Sequence, residues 1–153
     1  VSVEGTHKIT NISGSPVPPA NLARKFKVEV INGKLSHPNG NYVEWNSTRT
    51  ITQVEGLATP DYARDDAFKI EGSAKGLVRR GNLLVRWEST ITEPLLRRMT
   101  CRWIVKGRVR TVRANLPDPN NSRWAAVLDF GTSGCDNQAT IIINGRTRQI
   151  TLP

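Results

Sequence analysis

Between Cys101 and Arg113 the chain alternates with a period of two: Cys-Arg-Trp-Ile-Val-Lys-Gly-Arg-Val-Arg-Thr-Val-Arg. Successive side chains of an extended strand point to opposite faces of a sheet. The spacing therefore places Cys101, Trp103, Val105 and Val109 on one face. Arg102, Lys106, Arg108 and Arg110 fall on the other, with Ile104 among them. One face is fit to enter an apolar core, and the other presents a row of cations.

The same rhythm recurs along the chain. Phe26, Val28 and Val30 oppose Lys27 and Glu29, and Leu83, Val85, Trp87 and Ile91 oppose Arg86 and Glu88. Trp124, Ala126, Leu128 and Phe130 form another row, and Phe68, Ile70 and Ala74 a weaker one. Val43, Trp45 and Ile51 stay in phase before the pattern shifts to Val54, which predicts a bulge near Thr50 to Thr52. Asn-Gly pairs at Asn32-Gly33, Asn39-Gly40 and Asn144-Gly145 suit the type I′ turn, whose two central residues need positive φ. Arg80-Gly81-Asn82 is a similar signal. The clearest hairpin runs from Ala139–Ile143 through Asn144-Gly145 into Arg146–Leu152. A first strand spans Val1 to Ile12. Pro16, Pro18 and Pro19 mark an extended linker, and Leu116 to Ser122 a loop. Ala58 to Ala67 holds Pro60 and three Asp, so it allows one short helical turn.

Nine or ten short antiparallel strands, mostly in meander order, predict an all-β fold: a β-sandwich or barrel forming a single domain over residues 1–153. Trp45, Trp87, Trp103 and Trp124 are expected to fill the space between sheets.

Charge narrows the partners. The net charge is +9, and it is uneven. Residues 1–76 carry 9 Lys/Arg against 8 Asp/Glu, whereas residues 77–153 carry 13 against 5. A basic band attracts phosphate, sulfate or acidic glycan in a salt-sensitive way, and Arg102, Lys106, Arg108 and Arg110 are the candidate polyanion-binding row. The alternative is a solvated face that serves solubility. Alternate strand residues lie about 6.8 Å apart, close to twice the 3.4 Å phosphate spacing of one DNA strand. No exposed aromatics interleave with the row, as single-strand stacking platforms require, so specific nucleic-acid recognition is not expected.

Candidate chemistry is sparse. His7 and His37 have no nucleophile nearby in sequence. Glu44 and Glu88 lie on strands and form the candidate pair for glycan hydrolysis. Asp61, Asp65 and Asp66 are the richest acidic cluster but lack EF-hand spacing. Asp129-Phe130-Gly131 spells a kinase tripeptide with none of the other kinase motifs. No Walker loop or dinucleotide fingerprint is present, and no metal, cofactor or catalytic residue is assigned. Sequons stand at Asn11, Asn46 and Asn120. The longest apolar run, Ala139 to Ile143, is too short to span a bilayer as a helix. Val1-Ser-Val does not open a secretory signal, so an export signal would lie upstream.

The two cysteines, Cys101 and Cys135, would pair in an oxidising compartment and remain thiols in the cytosol. Closing a loop of about 35 residues would stabilise the fold by about 4 kcal/mol on the chain-entropy model.

The run from Leu128 to Thr147 resembles the ending of uncharacterised exported lipoproteins of the Bacteroidota. There an Asp-x-Gly-x-Gly-x-Cys-Asp-x-x-Ala turn leads into a strand, an Asn-Gly hairpin and a final strand. In this chain the turn reads Gly131-Thr-Ser-Gly-Cys135, which departs from that pattern. Cys101-Arg102-Trp103 and the Gly5 to Thr10 segment are similar to upstream strands of the same proteins. The resemblance implies an exported, lipid-tethered or secreted all-β domain, its anchor upstream of Val1, and it favours a Cys101–Cys135 pair. It implies no reaction and no catalytic residue. The expected role is a non-enzymatic surface or periplasmic module whose partner is an envelope protein or a glycan. Polyanion binding and glycan hydrolysis are the alternatives.

Overall fold

A computed structural model describes residues 1–15, 21–114, 125–132 and 134–153. Nine strands follow one another: β1 (Ser2–Asn11), β2 (Lys25–Ser36), β3 (Tyr42–Glu55), β4 (Ala67–Arg80), β5 (Leu83–Arg98), β6 (Ile104–Arg113), β7 (Ala125–Thr132), β8 (Gln138–Ile143) and β9 (Arg146–Thr151). They form a single antiparallel sheet in the order β1 to β9, each strand pairing only with its neighbours in sequence. The all-β class and the meander are those the alternation predicts. The sheet is open: no pairing among the described residues joins β1 to β9, and no second sheet lies across it. Closure into a barrel and stacking into a sandwich are therefore both absent from this sheet. Trp45, Trp87 and Trp103 accordingly do not sit between two sheets.

Cross-strand partners share a face, so the register sorts every side chain. Phe26, Val28 and Val30 on β2 face the same way as Trp45 and Ile51 on β3. They are joined by Phe68, Ile70, Ala74 and Val78 on β4, Val85 and Trp87 on β5, Val109 on β6, Leu128 on β7 and Ile141 on β8. This is the apolar face. The other carries Lys, Glu and Thr.

One row across the apolar face holds Gly33, Trp45, Gly76 and Trp87 as successive partners on β2 to β5. Each indole lies over the glycine of the preceding strand. A Cβ on Gly33 would sit 2.8 Å from Trp45 Cε2, and one on Gly76 would sit 2.8 Å from Trp87 Cζ2. Glycine supplies the space, and the ring covers the bare backbone beside it.

Turn chemistry divides the three Asn-Gly pairs. Asn144 and Gly145 have φ of 52° and 74° and close the two-residue β8–β9 hairpin as expected. Asn39-Gly40 lies in the β2–β3 connection, where the Gly40 N–H donates to the His37 carbonyl. Asn32-Gly33 makes no hairpin. It sits inside β2 at the register shift between Val30 and Gly33, and the Asn32 N–H donates to Asn46 Oδ1 at 2.9 Å. The slip expected near Thr50 to Thr52 lies slightly later, between Gln53 and Glu55. Val54 is left unpaired and exposed there. Ala63–Asp65 forms the one short 3₁₀ turn, inside the segment that permitted it. The Pro16 to Pro19 linker, the Leu116 to Ser122 loop, Asn120 and Trp124 lie outside the described residues.

β6 begins at Ile104, so Cys101, Arg102 and Trp103 precede the strand rather than extend it. Gly107, with φ of 114°, separates Lys106 from Arg108 and stands opposite bulges in both neighbours: the two-residue step of β6 is matched by three-residue steps from Glu93 to Leu96 on β5 and from Asp129 to Thr132 on β7. The Trp103 indole N–H donates to the Pro153 carbonyl at 3.1 Å. Cys101 and Cys135 are joined as a disulfide with Cα atoms 5.8 Å apart. It ties the turn before β6 to the β7–β8 connection.

Candidate functional site

Among the described residues the buried apolar side chains are few and mostly small: Ala67, Cys101, Val105, Ala125 and Ala139, with Gln53 and Asp66 buried beside them. Most aromatic and branched residues of the apolar face are half-buried, whereas Ile9 is 61% exposed and Ile143 45%. The accessible surface is 10120 Å² for 17.0 kDa. A compact monomer of that mass exposes about 7,700 Å². The excess of about 2,400 Å² exceeds what a standard protein–protein interface removes from water.

The two faces also differ in charge. On the polar face carboxylates and cations are paired: Lys34 with Glu44 at 2.8 Å, Lys27 with Glu29 at 2.8 Å, Lys69 with Glu71 at 3.0 Å, and Arg98 with Glu55 at 3.3 Å. The hydrogen bond to Glu44 holds the Lys34 ammonium above its ordinary pKa, and that from Lys27 holds Glu29 below the usual carboxylate range. The apolar face carries Arg49, Arg80, Arg97, Arg113, Arg146 and Arg148, and no described strand carboxylate falls on it. Arg49 stands opposite Val28, Arg97 opposite Phe68, Arg113 opposite Trp87, Arg146 opposite Ile143 and Arg148 opposite Ile141.

The proposed polyanion row is only partly a row. Lys106, Arg108 and Arg110 share the polar face, as the alternation requires, while Arg102 lies in the preceding bend with its guanidinium 5.9 Å from the Trp103 ring centre. Arg108 is held by two carboxylates. Its Nε donates to Asp129 at 2.7 Å, and its Nη1 lies 3.1 Å from Glu93. The bond to Asp129 raises the Arg108 pKa still further. Asp129 is lowered chiefly by the Gly131 backbone N–H that it accepts at 2.8 Å, and then by Arg108. The first residue of the kinase-like tripeptide is therefore a structural acceptor.

Glu44 and Glu88 line one depression of about 520 Å³ together with Lys75 and Arg86. Glu44 accepts from Lys34, and Glu88 stands directly opposite Lys75. Sequence spacing alone did not show that they would converge. In the acidic cluster, Asp66 is buried, accepts from Gln53 Nε2 at 2.8 Å and faces Arg24 at 3.8 Å. Asp65 accepts from Thr59 at 2.6 Å. No group of three or more metal-ligating side chains is assembled among the described residues. His7 faces Val30 across β1 and β2, and His37 lies in the β2–β3 connection. The sequon residue Asn46 is committed to the β2 bulge, and Asn11 accepts from the Ser13 N–H.

Sequence reading missed the arginine-bearing apolar face, because its arginines come from five strands and meet only through the register. No described helix is long and apolar enough to cross a membrane. No protein-family model, curated protein or solved structure matches the chain.

Proposed function

We propose that this chain is a non-catalytic, exported binding module whose working surface is the apolar, arginine-bearing face of the sheet. One observation carries the reading: a sheet face rich in aromatic and branched side chains has no second layer over it among the described residues. The Cys101–Cys135 disulfide supports an oxidising compartment. The likeness of the C-terminal hairpin to exported Bacteroidota lipoproteins points the same way. Self-pairing of the charges on the polar face argues against that side as the main docking surface.

Site-specific photocrosslinking in the producing cell tests this. A crosslinker at Leu128 or Ile143 should give a discrete adduct, and one at Val127 or Thr140, on the opposite face, should not. Adducts from the polar face alone, or from neither face, would overturn the reading. So would a glycan-hydrolysing activity that is abolished by Glu88→Gln.

A further inference from the structure

The β8–β9 hairpin gives the apolar face a specific chemistry. Ile143 pairs with Arg146, Ile141 with Arg148 and Ala139 with Ile150, and all six lie on the apolar face. Ile141, Ile143, Asn144, Arg146, Arg148 and Ile150 line a depression of about 800 Å³. Ile143 and Ile141 lead inward to Ala126 and Leu128 on β7, and Leu128 leads to Val109 on β6. A strip of apolar side chains thus runs from the middle of the sheet to its edge, where two arginines end it. Residues at i and i+2 on a strand are about 6.8 Å apart, so both guanidinium groups can reach one anionic head group. Arg146 and Arg148 are exposed, and neither has an ion pair among the described residues.

We infer that this hairpin binds a single anionic amphiphile: an alkyl or acyl chain lying on Ile141, Ile143 and Ile150, its carboxylate or phosphate held by Arg146 and Arg148. The inference rests on the proposed role of the apolar face and names its ligand class. Charge complementarity selects the occupant. A second copy would set arginine against arginine across the face, which opposes association. A nucleic acid would leave the isoleucines unmatched. The planar arginine fork suits carboxylate and phosphate, and hydrogen bonds to charged groups are strong where apolar neighbours exclude water.

Isothermal titration with dodecanoate below its micelle concentration, alongside dodecanol as the uncharged probe, tests the inference. Dodecanoate should bind one-to-one and shift the isoleucine methyl resonances of β8. Arg146→Ser/Arg148→Ser should weaken it by about tenfold or more, as expected for losing a charged hydrogen bond. Arg79→Ser/Arg86→Ser, which removes the same charge elsewhere, should change it less than about twofold. Ile143→Asn, at an exposed position, should weaken both probes without altering the circular dichroism. Equal affinity for dodecanol, unchanged affinity in Arg146→Ser/Arg148→Ser, or binding to anionic vesicles with none to the monomer would overturn the inference. Photocrosslinks from Leu128 or Ile143 to an acidic protein, with no dodecanoate binding, would overturn it while leaving the broader role of the face intact.

Discussion

Replacing Gly107 with alanine should be among the most damaging single-methyl changes in this sheet. Gly107 adopts φ of 114°, beyond the left-handed region that other residues tolerate. Forcing a side chain to stay there costs about 1–3 kcal/mol. A Cβ at this position would lie 2.5 Å from the Pro94 carbonyl oxygen and 2.8 Å from Leu95 Cα, both backbone atoms of β5. Ordinary carbon–oxygen contacts sit near 3.3 Å, so one strand must retreat by about 0.8 Å. That displacement falls between the Glu93–Arg108 and Leu96–Lys106 pairings, and overpacking of this kind adds about 1–3 kcal/mol. The total is about 4 kcal/mol, taken from a stability of about 5–15 kcal/mol. Gly145 supplies the control. Its φ of 74° is also positive, but nothing lies within 4 Å of its Cβ position. Gly145→Ala should therefore cost only about 1–2 kcal/mol of conformational strain. At about 2–4 °C per kcal/mol, the melting temperature should fall by about 8–16 °C in Gly107→Ala and by about 2–8 °C in Gly145→Ala. Urea unfolding followed by tryptophan fluorescence gives both free energies. If the two variants lie within about 1 kcal/mol of each other, the backbone collision across β5 and β6 is not the governing term.

Reducing the Cys101–Cys135 bond, or replacing both residues with alanine, should cost about 4 kcal/mol for a loop with a sequence separation of 34; urea midpoints with and without reductant measure it. Asp129 is held below its ordinary pKa, so its contribution is complete above about pH 4 and is lost as the pH falls through the lowered value. The stability gap between the wild type and Asp129→Asn should therefore be constant from pH 7 to 5 and shrink below about pH 4; a gap independent of pH across that range would contradict the assignment. Trp87→Ala should cost less than the roughly 3–5 kcal/mol typical of a fully buried aromatic, because the indole over Gly76 is not fully buried; chemical unfolding checks it. Retention on heparin should change little in Arg108→Ser, whose guanidinium already has two carboxylate partners, and fall further in Arg102→Ser/Lys106→Ser; salt elution profiles give the comparison.

Side-chain alternation was enough to reveal the strands and to sort Lys106, Arg108 and Arg110 from Val105 and Val109. It could not reveal the register in which neighbouring strands meet or whether the sheet closes. Asn32 and Asn144 show the limit: both have φ of 52° and both precede glycine. Asn144 turns the chain back, because β8 and β9 pair immediately on either side. Asn32 leaves β2 running on, because β3 pairs with it both before and after the bulge and Asn46 satisfies the freed N–H. The dipeptide sets a local dihedral, and its neighbours decide what that dihedral does. The candidate surface is hidden for a similar reason. Arg97, Arg113, Arg146 and Arg148 stand on β5, β6 and β9, and they reach one face only through a register that includes bulges in β5.

The alternating glycines and indoles on β2 to β5 work as a key in a lock of discrete steps. Sliding β4 against β5 by two residues would bring Trp87 opposite Ala74 or Val78 instead of Gly76, and the ring would strike a side chain where it now finds bare backbone. Sliding by one would send the Trp87 indole through to the lysine and glutamate side. Only one alignment seats both rings at once. An otherwise repetitive ribbon of threonines and valines therefore has a single frame in which adjoining hairpins can zip together.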